Sequence, residues 1–329
     1  MAYSSGGLIA ASDYNGFVGS SPSAVSNTIN TVWATGSGAW GYGQTALSQV
    51  SSSGLVTATQ WASAINTLNS IQTHQTGSGT GLTAPTTGSL ATYLGSFSSS
   101  INSAYGNALV FASQGTTVTN ANIAASDVAA NTASPVSYTV TRTATFASAD
   151  QARYFFNAGG QLNYTIAGVT NNDGTSRSGD LVTLLATNLK GITAFRANTN
   201  GGRTGSGGTV NTNTTNIGYY GLTTSNVTIQ QITSTTSGYT SDYANVQVKT
   251  NGVQGTNNDN GSVVTFYLNV YSASRPTLPA APPAGPGGTP GISNTVVNDT
   301  INVTIQHHID IVYPETTNLS NVWGAVTIA

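Results

Sequence analysis

Charge is what this chain has least of. Charged side chains make up 5% of its 329 residues, against about 25% in an ordinary soluble domain. A surface built from Ser, Thr, Asn, Gln and Gly follows, with little ionic repulsion to oppose association. Before Arg142 there is no Lys or Arg at all, and the only acids are Asp13 and Asp127, so the N-terminal part is expected to be buried among neighbouring subunits. Eight basic residues and a net charge of −2 leave nothing to neutralise a run of phosphates, which excludes nucleic acid as a partner. Cysteine is missing too, and with it go disulfides, thiolate catalysis and Cys-type zinc sites. No stretch is apolar enough to span a bilayer, and the opening residues MAYSSGGLIAASDYNGFVG have no basic run ahead of an apolar core. Neither a secretory signal nor a membrane insertion is expected.

What is present is enough apolar material, 38% of residues, for a sizeable core. Helical spacing occurs before residue 110. In residues 21–34, Val25, Ile29, Val32 and Trp33 share a face behind Ser21 and Pro22. Thr57 and Gln60 have capping-box spacing ahead of the stripe Trp61, Ile65, Leu68 and Ile71. Residues 89–107 align Leu90, Leu94, Phe97, Ile101 and Tyr105. After residue 135 the period drops to two, giving strands near 136–146, 161–167, 227–232, 244–248, 263–271 and 300–312. Short helices are expected at 148–156 and 179–190, and polar loops at 199–215 and 250–261.

The fold class expected is α+β: a small N-terminal helical region, then a mainly antiparallel, sandwich-like β-domain with one or two covering helices and a C-terminal extended arm. The divisions are an N-terminal arm (1–20), a helical assembly region (21–110), a linker (111–134), a β-rich domain (135–275), a Pro/Gly-rich tether (276–290) and a C-terminal strand arm (291–329). That arm either pairs with a neighbouring subunit or returns to its own sheet.

Candidate chemistry is sparse. Nine Asp and Glu315 are widely spaced, and Asp150, Asp173 and Asp180 are the nearest thing to an acid/base set. His307 and His308 are adjacent on a strand, so they point to opposite faces; only copies meeting on a threefold axis would let either bind a metal. His74, at a helix end, is expected to meet the terminal carbonyls. The turns at Asn171–Gly174 and 257–261 lack the acid spacing of calcium loops. No cofactor and no enzymatic activity are expected. Trp33, Trp40, Tyr42 and Trp61 gather aromatic area that suits either a small core or a subunit contact. Phe155 and Phe156 should fill a core where a helix meets the sheet, with Asn157, Gly159 and Gly160 turning the chain and Arg153 bonding carbonyls across that turn.

Three blocks, WATGSGAWGYGQT (33–45), TATQWASAINTLNSIQTHQTG (57–77) and RYFFNAGGQL (153–162), resemble in this order the virion structural proteins of marine and freshwater tailed phages, cyanophages included. The resemblance spans roughly residues 10–275. It implies a building block of the particle, a homo-oligomer in contact with other virion proteins and assembled in the host cytoplasm, without fixing its position; a tail-, neck- or fibre-associated subunit is expected, with a capsid-surface decoration protein as the alternative. A rival reading is a receptor-binding protein whose Tyr219, Tyr220 and Tyr239 contact a host surface glycan. A glycan depolymerase built on the carboxylates is a third.

Overall fold

Thr57 and Gln60 exchange the two bonds of a capping box, Gln60 N–H donating to Thr57 Oγ1 (3.2 Å) and Thr57 N–H to Gln60 Oε1 (2.9 Å). From there α3 (Ala58–Thr76) runs to Gly77, which ends it in the left-handed conformation, and Trp61, Ile65, Leu68 and Ile71 are all buried. The computed structural model describes residues 10–19, 27–86, 94–121, 123–130, 135–252, 261–274 and 300–329, with the backbone alone for Leu94 and for 123–130. Three shorter helices gather around α3: α1 (Ala11–Val18), α2 (Ile29–Trp33) and α4 (Leu94–Gly106). Phe17, Trp61 and Phe97 pack ring against ring between them.

The helical region departs from its sequence pattern at the edges. α2 is a five-residue helix in the described chain, and Ser21, Pro22 and Val25 lie outside the described residues, as does Leu90 ahead of α4. The expected N-terminal arm contains α1, whose Tyr14 and Val18 are buried one turn apart. Eight residues with three large apolar side chains, Tyr14, Phe17 and Val18, give too short a period to read.

The rest of the molecule is two antiparallel sheets. The first takes β1 (Gln114–Thr119), β2 (Ile123–Ala130), β4 (Gln161–Asn171), β5 (Gly191–Phe195) and β10 (Ile301–Pro314); its order is β1-β10-β4-β5, with β2 also on β10. The second takes β3 (Val136–Thr145), β6 (Thr209–Asn213), β7 (Val227–Thr233), β8 (Tyr243–Thr250), β9 (Val263–Ser272) and β11 (Thr327–Ile328), in the order β11-β3-β9-β8-β7-β6. Alternate residues of each sheet meet in one core: Leu162, Tyr164, Ile166, Ile305 and Ile309 from the first, Val140, Val246, Phe266 and Leu268 from the second. Tyr164 stacks on Phe266 across the gap, with centroids 5.6 Å apart and planes 5° from parallel. α5 (Ala149–Asn157), capped by Ser148, brings Phe155 and Phe156 against Phe146, Phe195 and Tyr219. α6 (Ser176–Val182) widens into a π-helical stretch, Thr183–Leu189, which packs its leucines on β4, β7 and β8.

The molecule is therefore α+β, as the change of period implies. Two boundaries are corrected. The expected linker 111–134 holds β1 and β2, and the expected loop 199–215 holds β6. All six β1 residues are exposed, and β6 is nearly so, so neither has a buried face to impose alternation; main-chain pairing alone makes them strands. Of the two alternatives for the C-terminal arm, the chain takes the second: β10 returns to its own sheet, flanked by β4 on one side and by β1 and β2 on the other. The tether 276–290 lies outside the described residues.

Phe266, buried at the junction of both sheets and two aromatic contacts, sets the scale of the core. Phe266→Ala is expected to destabilise the fold by about 3–5 kcal/mol, read as a lowered urea midpoint at unchanged slope.

Candidate functional site

The three sequence blocks converge on one place. After α2 the chain turns through Gly36, Gly38, Gly41 and Gly43, all at positive φ, and a Cβ on Gly41 would stand 2.2 Å from the Thr35 carbonyl oxygen. This path points a row of carbonyls at α5. Arg153 Nη1 donates to Trp40 O (2.7 Å) and Nη2 to Thr35 O (2.7 Å), while Asn157 Nδ2 donates to Gly38 O (3.1 Å) and Gly41 O (3.0 Å). Tyr220 closes the arrangement, its hydroxyl lying 2.6 Å from both Asn157 Oδ1 and Gly38 O. Arg153 and Asn157 are thus clamps on a remote loop rather than parts of the local turn. That turn falls to Gly159, at φ +88°, and to Gly160, packed beside Phe155.

The second side of the hub is Tyr42, fully buried, whose hydroxyl donates to Ala108 O (3.0 Å) and accepts from Gln75 Nε2 (3.0 Å). Burial pushes its phenol well up. The edge of Tyr42 meets His74, whose Nδ1 lies 2.8 Å from Glu315 Oε1. His74 therefore pairs with a carboxylate, not with helix-terminal carbonyls. Burial pulls its pKa down against the opposing pull of Glu315. Burial alone would raise Glu315, but the bonds from His74, Asn318 and Thr317 hold its carboxyl below the usual carboxylate range. Gln44 completes the tie, with Nε2 donating to Ser320 O (2.9 Å) and Oε1 accepting from Ser320 N–H (2.9 Å).

The aromatic candidates are framework. Tyr42 and Trp61 are buried; Trp33 and Trp40 are half-buried and donate to Thr45 O and Tyr105 O. Tyr42 and Trp61 thus belong to the small core, with Trp33 and Trp40 packed against it. Tyr219 is fully buried, stacked on Phe156, and donates to Gly261 O (2.9 Å), so it is no glycan contact; Tyr220 is committed to the hub and Tyr239 is half-buried. Asp150 pairs with Arg153, Asp173 accepts from Thr175 and Thr300, and Asp180 accepts from Ser234, so each has its own structural task. Among the described residues, no group of three or more His, Cys, Asp or Glu side chains is placed to hold a metal ion.

The histidine pair does face opposite ways. His307 lies between the sheets, with Nδ1 2.9 Å from the Tyr164 hydroxyl, and His308 Nε2 stands 3.2 Å from Asp310 Oδ1. Both are buried in their own chain, which removes the proposed threefold metal site. Burial, with the charges of Arg142 and His308, pulls His307 down to about 4. Sequence reasoning missed Arg142, on the core face of β3 between Val140 and Ala144; the alternation itself was the signal. It also missed the buried set in which Arg177 Nε donates to Ser272 Oγ (2.8 Å) and Ser272 Oγ to Asp242 Oδ2 (2.6 Å). Comparison with protein-family models, with curated proteins and with solved structures finds no match to this chain. No helix among the described residues is long and apolar enough to cross a membrane.

Two outcomes are expected. Arg153→Met orphans the Thr35 and Trp40 carbonyls and should cost about 3 kcal/mol or more, with a red shift of tryptophan fluorescence as Trp40 opens; Arg153→Lys should not restore it, since one ammonium cannot span both acceptors. For His307 the folded pKa lies below the unfolded one, so its contribution is complete above about 6.5 and is lost as pH falls towards about 4. His307→Gln should flatten that part of the curve of urea midpoint against pH.

Proposed function

We propose that the chain is a non-enzymatic structural subunit of a tailed-phage particle, tail-, neck- or fibre-associated, that acts by assembling with its own copies and with other virion proteins. The observation that carries this reading is the hub. The three blocks by which the sequence resembles virion proteins meet there, and their polar groups bond the chain's own backbone and one another's side chains, with His74 tied to Glu315. Residues used in this way make a frame, not a catalyst.

The strand edges support association. Among the described residues β1 and β6 each pair on one side only. Neither carries the Lys, Glu or Pro that usually protects an edge, and each exposes a valine, Val118 at 41% and Val210 at 45%. The burial of Tyr219 weighs against the glycan-binding alternative.

Native mass by light scattering, across a wide concentration range, tests the proposal. A stable oligomer is expected, with Val118→Lys and Val210→Lys lowering its mass while leaving the melting temperature unchanged. A chain that stays monomeric throughout, indifferent to both substitutions, would overturn it.

A further inference from the structure

Three of the eight basic residues, Arg142, Arg153 and Arg177, are buried, and their surroundings differ. Arg153 is met by carbonyls and by Asp150, and Arg177 by Ser272 and the Ala273 carbonyl. Arg142 is 6% exposed, and its Nη2 is buried without a hydrogen-bond partner. A buried guanidinium left without a counter-charge costs several kcal/mol, and an orphaned buried donor in a native fold commonly marks an unseen water or ion.

The neighbours of Arg142 make the gap specific. On β3 it is flanked by Val140 and Ala144, and across the pair with β9 it faces Phe266. Phe266 in turn stacks on Tyr164 of the other sheet, with centroids 5.6 Å apart, so the cross-strand neighbour of Arg142 leads to Tyr164 and to His307 beside it. The Tyr164 hydroxyl and His307 Nδ1 are 2.9 Å apart, so a phenol, an imidazole and a guanidinium share one inter-sheet space. Among the described residues no carboxylate pairs with Arg142. Of the two acids nearest in sequence, Asp150 pairs with Arg153, and Asp127 is on β2, where the shift between the pairs Ala125↔Ile305 and Val128↔Val303 sets residues 126 and 127 opposite Thr304.

We propose that Arg142, Tyr164 and His307 form a binding site for a small monovalent anion, a halide or a short carboxylate, seated between the two sheets. Arg142 supplies charge and N–H donors, and Tyr164 a hydroxyl that can turn from His307 to the anion. The size limit follows from the packed aromatic walls of Tyr164 and Phe266. Exchange with solvent is possible along β3: the C-terminal segment covers its edge from Thr145 to Thr143, where Ala329 exchanges two backbone bonds, and among the described residues no strand pairs with the same edge from Val136 to Arg142.

The test uses the full chain at constant ionic strength, with bromide or formate replacing the bulky anion gluconate. Binding to the folded form alone multiplies the folded-to-unfolded ratio about elevenfold at ten times the dissociation constant. The urea midpoint should therefore rise with bromide and with formate, saturate, and do neither in Arg142→Met. Crystals grown in bromide should show an anomalous peak beside the Arg142 guanidinium. An equal response in wild type and Arg142→Met, or none in either, overturns the proposal. So does a wild type that ignores both anions while Asp127→Asn strongly destabilises it, since Arg142 would then be served by the chain's own carboxylate.

Discussion

The bond on which this molecule most depends is that between a side-chain amide and the backbone of a distant loop. A carboxamide offers a donor and an acceptor in the geometry of a peptide, so it can pair with a main-chain segment as a neighbouring strand would. Asn15 does this with Val50, Asn30 with Leu47, and Gln44 with Ser320, in each case giving and receiving a bond. Neutral clamps can be buried without the desolvation cost of an ion, and for that reason a chain with 5% charged residues can still fix long irregular segments. Asn69 holds the segment after α3 through Thr80 N–H and Leu82 O, and Asn200 holds Thr214 O and Ile217 O.

The clamps also make one body of what the sequence suggests as separate parts. Gln44 and His74 belong to the helical region, yet their partners, Ser320 and Glu315, follow β10 near the far end of the chain. Buried residues from the helices through both sheets form a single hydrophobic cluster. Removing the chain from β10 onward would therefore strip the middle of a sheet and both of these ties at once.

Legibility followed side-chain burial. α3, β3, β9 and β10 were readable because each buries one face, and burial imposes a period on the residues that serve it. β1 and β6 left no trace because exposed strands of Thr, Asn and Gly have nothing to alternate. The hub was legible as a set of residues but not as a contact. The blocks stand out in sequence, whereas the pairing of Arg153 with Thr35 and Trp40 spans more than a hundred positions and depends on which carbonyls a glycine path exposes. Tyr219 was misread because aromatic residues next to polar loops look alike in sequence whether they cap a core or face solvent.

The arginines show how the same economy of charge bears on function. Where a guanidinium is surrounded by carbonyls, as at Arg153, or by hydroxyls backed by an acid, as at Arg177 with Ser272 and Asp242, its charge is dispersed over fixed dipoles and it serves as a rivet. Arg142 has the burial of a rivet and none of the acceptors, with a phenol and an imidazole held neutral in front of it. In a protein with abundant carboxylates such a site would be filled by the nearest Asp or Glu. Here acids are scarce, and among the described residues they are engaged elsewhere, Asp150 with Arg153, Asp180 with Ser234, Asp242 with Ser272, Asp310 with His308 and Glu315 with His74, which is why the proposed anion would have to come from outside the described framework.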